Sequence, residues 1–413
     1  MPKIKNIVAA VVRGHDFWGR ETEIKFLTEM LEDGAHVSIV AQRRMGKTSL
    51  MREAGDRLQE KYLCLFLDVQ DADGPADLIV RLTLATREHA GLWEKTKAVF
   101  GNTLRGLTDR VDSLNYGDLS ITLRKDLAGR SWQQKGQQIL KLLAQQDRPV
   151  VLFIDELPIL LSKMLRGPEG QVSREGRREV EALLSWLRAR SLEHQGKLIF
   201  VLAGSIGLEP VLNLAGLSAN LNTFTPFILE AWDNPTALGC LAALAANYRL
   251  TLPPGVPEAM LALLGCFIPH HVQMFFHHLR SDCRHREMDA CTGEDVSRVY
   301  RERMLRAQGQ MSLAHMEERL TNNLPKELAA LALDLLTQAA VMNRLTPGAI
   351  QALSRRHTSL ENQTTNLAFL LGMLEHDGYL KPQGEDFVFV SHLLRDWWKA
   401  RYGRLFHPVP VEG

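Results

Sequence analysis

Apolar residues in the first half of the chain fall alternately into short continuous runs and into helical spacing. Four apolar runs predict buried parallel strands, at residues 36–40, 63–69, 149–160 and 197–205. Residues 47–62 and 173–193 instead repeat apolar side chains at helical intervals, which predicts amphipathic helices. Strands that alternate with helices indicate an α/β layer with a parallel sheet, which binds ligands at the carboxyl ends of its strands.

The second half of the chain predicts helices followed by one hairpin. Helical apolar spacing runs through residues 231–308. After residue 309, three predicted helices precede a hairpin with QGED at its tip, which is the element order of a winged helix. We therefore predict a core at 1–230, a helical domain at 231–308 and a winged-helix domain at 309–413.

The sequence AQRRMGKTSL, residues 41–50, joins the first predicted strand to the first predicted helix. It fits the phosphate-binding pattern G-x-x-x-x-G-K-[ST] except at Ala41, which is tolerable there unless that position needs a positive φ. Backbone N–H groups would cradle phosphates, Lys47 would reach the β and γ oxygens, and the Thr48 hydroxyl would bind Mg²⁺. We expect nucleotide contacts from Arg44, Met45, Gly46, Lys47, Thr48 and Ser49.

Two adjacent acids, Asp155 and Glu156, end the strongly apolar third strand. Carboxylates in such a place are costly unless they meet a cation or water. We expect Asp155 to hold Mg²⁺ through water and Glu156 to polarise an attacking water as general base. The alternative, a pair of solvated loop acids, is disfavoured by the phosphate-binding motif upstream.

Charge and composition narrow the class of protein. Lys plus Arg number 49 against 48 Asp plus Glu, a net charge of +1 that gives no support for binding nucleic acid or membranes over the whole surface. No apolar run reaches the length of a membrane span, and IVAAVV is too short for a signal peptide. Five irregularly spaced cysteines fit a reducing compartment. We expect a cytoplasmic protein without membrane contact.

Several motifs together resemble one family. FWGRETEIKFL, RRMGKTSL, FIDELP and LAGS are similar to motifs of the signal-transduction ATPases with numerous domains (STAND), among the wider AAA+ relatives. The resemblance implies an α/β P-loop NTPase core with a parallel sheet, an α-helical lid and a winged helix. It also implies an ATPase that binds ATP or ADP with Mg²⁺ and acts as a nucleotide-dependent switch on a protein partner or a homo-oligomer.

The same resemblance implies roles for residues outside the loop. Trp18, Gly19 and Arg20 would lie against the adenine or the rim of the nucleotide, although Phe17 and Trp18 equally suit core anchors beside a helix cap. Ser205 would face the γ-phosphate, alongside Lys47 and Glu156 as catalytic residues, or else only cap a helix. Pro269 would start the lid helix that packs on the base, although Phe267 and Ile268 stand where Gly-x is usual.

Two further assignments carry open alternatives. Alignment on the family's LLRD helix places Val390, Ser391 and His392 on a Met-His-Asp motif, so the histidine that would contact the β-phosphate of ADP is displaced by one position. The alternative is that His392 caps the last helix. Arg188 and Arg190 suit either an arginine finger reaching a neighbouring subunit or a basic helix end.

The histidine-rich stretch after Pro269 suggests a zinc site, but its spacing matches no zinc template, so we expect a structural role.

Two rival functions remain. The first is an ATP-dependent DNA-binding protein resembling the origin-recognition ATPases, although Lys plus Arg equal Asp plus Glu in number from 326 to 413 and the third helix begins without a cation. Arg355, Arg356 and Lys381 could still form a local patch. The second is a nucleotide-binding scaffold with little hydrolysis.

Overall fold

The computed structural model describes residues 3–8, 10–101, 116–127, 129, 131–167, 172–204, 208–217, 222–306, 313–314, 316–318, 320–321, 324–357 and 363–410. The chain divides into two compact units. The sheet unit contains Thr22–Ala41 and Leu50–Leu229, and the helical unit contains Met1–Glu21, Gln42–Ser49 and Glu230–Gly413. The division therefore assigns the phosphate-binding motif at 42–49 to the helical unit, although both of its chain neighbours belong to the sheet unit.

Five parallel strands form the sheet of the sheet unit. They are β1 (Val37–Val40), β2 (Leu63–Asp68), β3 (Val150–Asp155), β4 (Leu198–Ala203) and β5 (Thr225–Ile228). The strand order is β2-β3-β4-β1-β5, so all their carboxyl ends lie at one edge. Every residue of β4 is buried, which explains why the central strands are continuous apolar runs and do not alternate in polarity.

Helices surround this sheet and bury its faces. Helices α1 (Glu21–Glu32) and α2 (Lys47–Leu58) begin in residues of the helical unit and continue in the sheet unit. The helices that lie entirely in the sheet unit are α3 (Pro75–Ala85), α4 (Ala90–Val99), α5 (Tyr116–Asp126), α6 (Ser131–Ala144), α7 (Leu157–Leu165), α8 (Arg174–Glu193) and α9 (Leu208–Ala215). An apolar cluster joins β2, β3 and β4 to buried residues of α3 to α9. Strands β2, β3 and β4 are thus held by one continuous apolar core.

The helical unit begins its second half with four helices. They are α10 (Asn234–Tyr248), α11 (Val256–Leu264), α12 (Pro269–His285) and α13 (Gly293–Val299). Asp233 caps α10 and proline stands in its first turn, the arrangement that favours a helix start. Their apolar faces share one cluster with the C-terminal residues, including Trp397 and Trp398.

The C-terminal residues follow the predicted order of three helices and a hairpin. The helices are α14 (Lys326–Met342), α15 (Pro347–Arg356) and α16 (Gln363–His376), and the antiparallel strands are β6 (Leu380–Gln383) and β7 (Asp386–Phe389). A last helix, α17 (His392–Tyr402), packs on α14. We call residues 326–402 the C-terminal segment.

The N-terminal residues form a strap along the helical unit. Ile4 is buried, and its carbonyl accepts a hydrogen bond from Asn247 Nδ2 at 2.9 Å. The Asn6 amide donates to the Tyr248 hydroxyl at 3.0 Å. Further along, the Val12 amide donates to Ser49 Oγ at 3.0 Å. The strap therefore connects the end of α10 with the phosphate-binding motif.

The observed elements correct two details of the sequence prediction. The run at 149–160 is a strand only to Asp155, because Glu156 has a left-handed backbone and Pro158 stands in the first turn of α7. Strand β5 was not predicted, since it is only four residues long and contains Pro226, which suits an edge position. No helix in the described residues has the length and apolar character needed to cross a membrane. The three-domain boundaries remain a prediction.

Candidate functional site

The phosphate-binding motif forms a tight loop between β1 and α2. Lys47 is the first residue of α2 and is only 6% exposed. Its Nζ donates a hydrogen bond to the Gln42 carbonyl at 2.9 Å, across the loop. An ammonium group has three donors, so the bond to Gln42 occupies one of them while it fixes the curvature of the loop. The cation is thereby held inside the loop.

Two loop residues adopt the left-handed conformation. Arg44 has φ 68° and Gly46 has φ 89°. Alternation between left- and right-handed residues turns successive backbone N–H groups to one side, which is the concave arrangement that binds anions. Ala41 is not among the residues with positive φ, so its side chain causes no strain at the position where the pattern has glycine.

Arg20 holds the loop from outside. Arg20 is 5% exposed, and its guanidinium donates to the Glu230 carbonyl at 2.7 Å and to the Met45 carbonyl at 3.4 Å. Burial of a cation is tolerable when backbone carbonyls accept its hydrogen bonds. Arg20 thus connects Met45 of the loop with Glu230, where the second half of the helical unit begins.

Trp18 and Gly19 pack on the start of α10. The Trp18 indole donates to the Thr236 carbonyl at 3.0 Å, and its ring lies against Gly239. Gly19 has φ 66°, and a Cβ there would lie 2.3 Å from Thr236 Cγ2. The structure therefore places both residues in the packing of α10, in agreement with the interpretation of Trp18 as an anchor.

The two acids end β3 at the carboxyl edge of the sheet. Asp155 pairs in register with the exposed Asp68 of β2, whereas Asp155 and Glu156 are themselves half-buried. Glu156 has φ 62° and ψ 26°, and its amide donates to Asp155 Oδ1 at 3.1 Å. A left-handed glutamate is uncommon and is found where surrounding structure determines the backbone.

A close contact between β4 and α7 determines this backbone. Gly204 follows β4, and a Cβ on it would lie 2.4 Å from Pro158 Cδ and 2.6 Å from Pro158 Cγ. Only glycine permits this approach without a shift of one partner. Gly204 and Pro158 therefore fix the turn that carries Glu156, a role that we did not predict from the sequence.

The remaining predicted residues have varied surroundings. Ser205 lies outside the described residues. Arg188 is exposed, whereas Arg190 is 17% exposed and forms an ion pair with Glu193 of the same helix. Pro269 is the first residue of α12, as predicted, and is half-buried.

Ser391 and His392 lie at the start of α17. Ser391 Oγ accepts a hydrogen bond from the Leu394 amide at 3.3 Å, so the serine caps the helix. The His392 ring lies against Gly265, and its Nδ1 is 3.1 Å from the Ala262 carbonyl. His392 therefore contacts the end of α11, and whether it also binds ADP remains a prediction.

Among the histidines after Pro269, two have strongly perturbed pKa values. Burial, and to a smaller extent the nearby Arg44 guanidinium, lower the pKa of His270 to about 4. Burial, with His277 and Arg303 nearby, lowers the pKa of His278 to about 4 as well. In the described residues no three His, Cys, Asp or Glu side chains are grouped as metal ligands would be.

No protein-family model matches this chain, and no curated protein matches its sequence. Solved structures do match its fold. The Walker-type ATPase PABY2304 of Pyrococcus abyssi is 17% identical with a TM-score of 0.62, over 95% of this chain and 99% of that one. The ORC2 protein of Aeropyrum pernix, in ADPNP–ADP complexes, is 13% identical with a TM-score of 0.50, over 93% and 95% of the two chains.

These likenesses concern the fold. The chain has the α/β architecture of the P-loop ATPases, with a five-stranded parallel sheet and a helical C-terminal region. This confirms the predicted fold class.

Proposed function

We propose that this chain is an ATPase that binds ATP or ADP with Mg²⁺ and acts as a nucleotide-dependent conformational switch of the STAND kind. The observation that carries the proposal is the loop between β1 and α2, in which Lys47 is buried and bonded to the Gln42 carbonyl. A buried ammonium among left-handed loop residues suits a polyphosphate, because oxygen anions accept both from the cation and from the loop amides.

The residues also suit a magnesium ion. The Thr48 hydroxyl is an oxygen donor at the start of α2, and the Asp155 carboxylate ends a buried strand. Oxygen ligands are those that Mg²⁺ prefers, and the ion would neutralise phosphate charge when bound. Glu156 is the candidate general base, since its left-handed backbone is fixed by the contact between Pro158 and Gly204.

The switch part of the proposal concerns the C-terminal segment. It packs in the same unit as the loop, and its buried residues, including Trp397 and Trp398, share one apolar cluster with those of α10–α12. A change at the loop would therefore act on the C-terminal segment and alter the protein partner or second copy that it binds.

The test compares the parent chain with Lys47→Ala and Glu156→Gln. Lys47→Ala removes the charge-assisted bonds to phosphate, so we expect at least about a tenfold loss of affinity for ADP and ATPγS in titration calorimetry. Glu156→Gln should retain affinity and lose steady-state phosphate release. Lys61→Ala, which changes an exposed lysine paired with Glu32, serves as the control and should match the parent. Phosphate release by Glu156→Gln at the parental rate would disprove the general-base assignment.

A second candidate function, ATP-dependent DNA binding, has one observation in its favour. Arg355 and Arg356 at the end of α15 are exposed, and so is Lys381 of β6. Phosphate contacts by such cations give affinity that falls steeply with salt. Duplex binding measured across salt concentrations distinguishes the two candidates, since a flat or absent response excludes this one.

A further inference from the structure

The turn after α16 touches the phosphate-binding loop. Gly378 has φ 77°, a left-handed backbone that favours glycine. A Cβ at this position would lie 2.0 Å from Gln42 Cδ, 2.3 Å from its Nε2 and 2.5 Å from its Cγ. Position 378 therefore requires glycine for two independent reasons, and the second reason is the side chain of a loop residue.

Gln42 also contacts the lysine of the loop. Its carbonyl accepts the hydrogen bond from Lys47 Nζ, while its side chain covers the Gly378 Cα. Gln42 thus contacts Lys47 through its backbone carbonyl and the C-terminal segment through its side chain. A movement of Lys47 Nζ toward phosphate oxygens would alter its hydrogen bond to Gln42.

Little free space surrounds this contact. The cavity beside it, bounded among others by Gln42, Arg43, Asp377, Gly378 and Ser391, has a volume of about 20 Å³. That is room for about one water molecule. This cavity is therefore too small to take up a displaced Gln42 side chain.

The turn is fastened to the rest of the C-terminal segment. The Gly378 amide donates to the Glu375 carbonyl at 3.0 Å, and the Tyr379 amide donates to the Leu374 carbonyl at 2.9 Å. Tyr379 is fully buried, and its ring packs edge-on against Trp398 of α17. A push on Gly378 is therefore transmitted to α16 and α17 as a unit.

We infer that the contact between Gln42 and Gly378 couples phosphate binding in the loop to the position of the C-terminal segment. The inference rests on the proposed function and names the residues that regulate it. Gln42 and Gly378 are positioning residues, and neither is required to touch the nucleotide. Coupling of this kind is reciprocal, so a shift in the position of the turn alters nucleotide affinity by the same free energy by which nucleotide shifts the turn.

A double-mutant cycle tests the inference. The proteins are the parent, Gly378→Ala, Gln42→Ala and the double variant, each titrated with ADP and with ATPγS. Gly384→Ala is the matched control, because Gly384 in the hairpin has φ 65° and a Cβ added there would meet nothing within 4 Å. This control carries the same kind of backbone strain without the contact.

We expect Gly378→Ala to change the affinity for at least one nucleotide by about fivefold or more in the parent background. In the Gln42→Ala background, and for Gly384→Ala, the change should be less than about twofold. An equal effect of Gly378→Ala in both backgrounds, or an effect no larger than that of Gly384→Ala, overturns the inference. A parent that binds neither nucleotide refutes the proposed function, whereas an additive cycle in a parent that binds refutes the coupling alone.

If Gly378→Ala lacks the parental near-ultraviolet circular dichroism, hydrogen exchange replaces it. Nucleotide should change amide exchange at residues 377–379 in the parent and leave it unchanged in Gln42→Ala, which introduces no strain at the turn. Persistence of the nucleotide effect in Gln42→Ala overturns the inference.

Discussion

The phosphate-binding loop and the acid pair are both recognisable motifs, but different kinds of contact hold them in place. The loop depends on residues far away in the chain: Arg20 binds the Met45 carbonyl, Val12 binds Ser49, and Gly378 meets Gln42. The acid pair depends on the sheet itself. Its backbone is set by the end of β3 and by the contact of Pro158 with Gly204 at the end of the neighbouring β4.

This difference indicates which function each region is suited to. A site fixed by a sheet stays the same as the rest of the unit moves, which suits a base that must keep its orientation. A site held by distant segments changes whenever those segments move, which suits a sensor. Variants that disturb the supports, and leave the motif residues intact, separate the two roles.

The largest effect is expected from Arg20→Ala. The carbonyls of Met45 and Glu230 lose a buried charged donor, so we expect a loss of about 3 kcal/mol of unfolding free energy in urea titrations, with weaker binding of ADP. Arg20→Lys keeps the charge on a single donor group and should recover only part of the loss. If Arg20→Ala lowers the affinity for ADP while the free energy of unfolding is unchanged, Arg20 acts on the nucleotide directly. The loop would then not depend on Arg20 as a structural support.

A smaller effect is expected from Gly204→Ala. The new methyl group overlaps Pro158, and overpacking of this kind costs about 2 kcal/mol. Because the displaced turn carries Glu156, kcat for phosphate release should fall more than nucleotide affinity does. Gly91→Ala in α4, where a Cβ meets nothing within 4 Å, is the control and should be neutral or stabilising. Equal losses in kcat and affinity would remove the distinction between the two regions.

The smallest effect concerns pH and His36, which precedes β1. Its Nδ1 accepts from the Phe200 amide at 3.1 Å, and burial lowers its pKa below the usual 6.5, although a bond to the Ser191 backbone opposes this. The folded state favours the neutral ring, so this stability is complete above pH 6.5 and is lost as pH falls from there toward the lowered pKa. Each pKa unit of difference is worth about 1.4 kcal/mol.

Urea unfolding at about pH 8 and about pH 5.5, on either side of the ordinary histidine pKa, measures this dependence, with His36→Gln as the comparison. His270 and His278 also have lowered pKa values, so the parent and the variant should both lose stability in acid. The parent should lose more, and the difference belongs to His36. Equal losses would mean that protonation of His36 does not affect the sheet.

The strands and the residues of the loop could be predicted from the sequence because both leave local patterns. Continuous apolar runs predicted β1 to β4, and the spacing of Gly46, Lys47 and Thr48 predicted the loop. The supports leave no such pattern. Nothing beside Gln42 in the sequence indicates that it contacts Gly378, more than 300 positions away.

The N-terminal strap has a consequence for the order of synthesis. Asn6 finds its acceptor on Tyr248, which is made 242 residues later. At a translation rate of about 5–20 residues per second, Tyr248 is synthesised roughly 12–50 seconds after Asn6. During this time most of the sheet unit, which ends at Leu229, has already left the ribosome. Until Tyr248 is available, the segment that gives the loop its hydrogen bond from Val12 lacks its bonds to the end of α10.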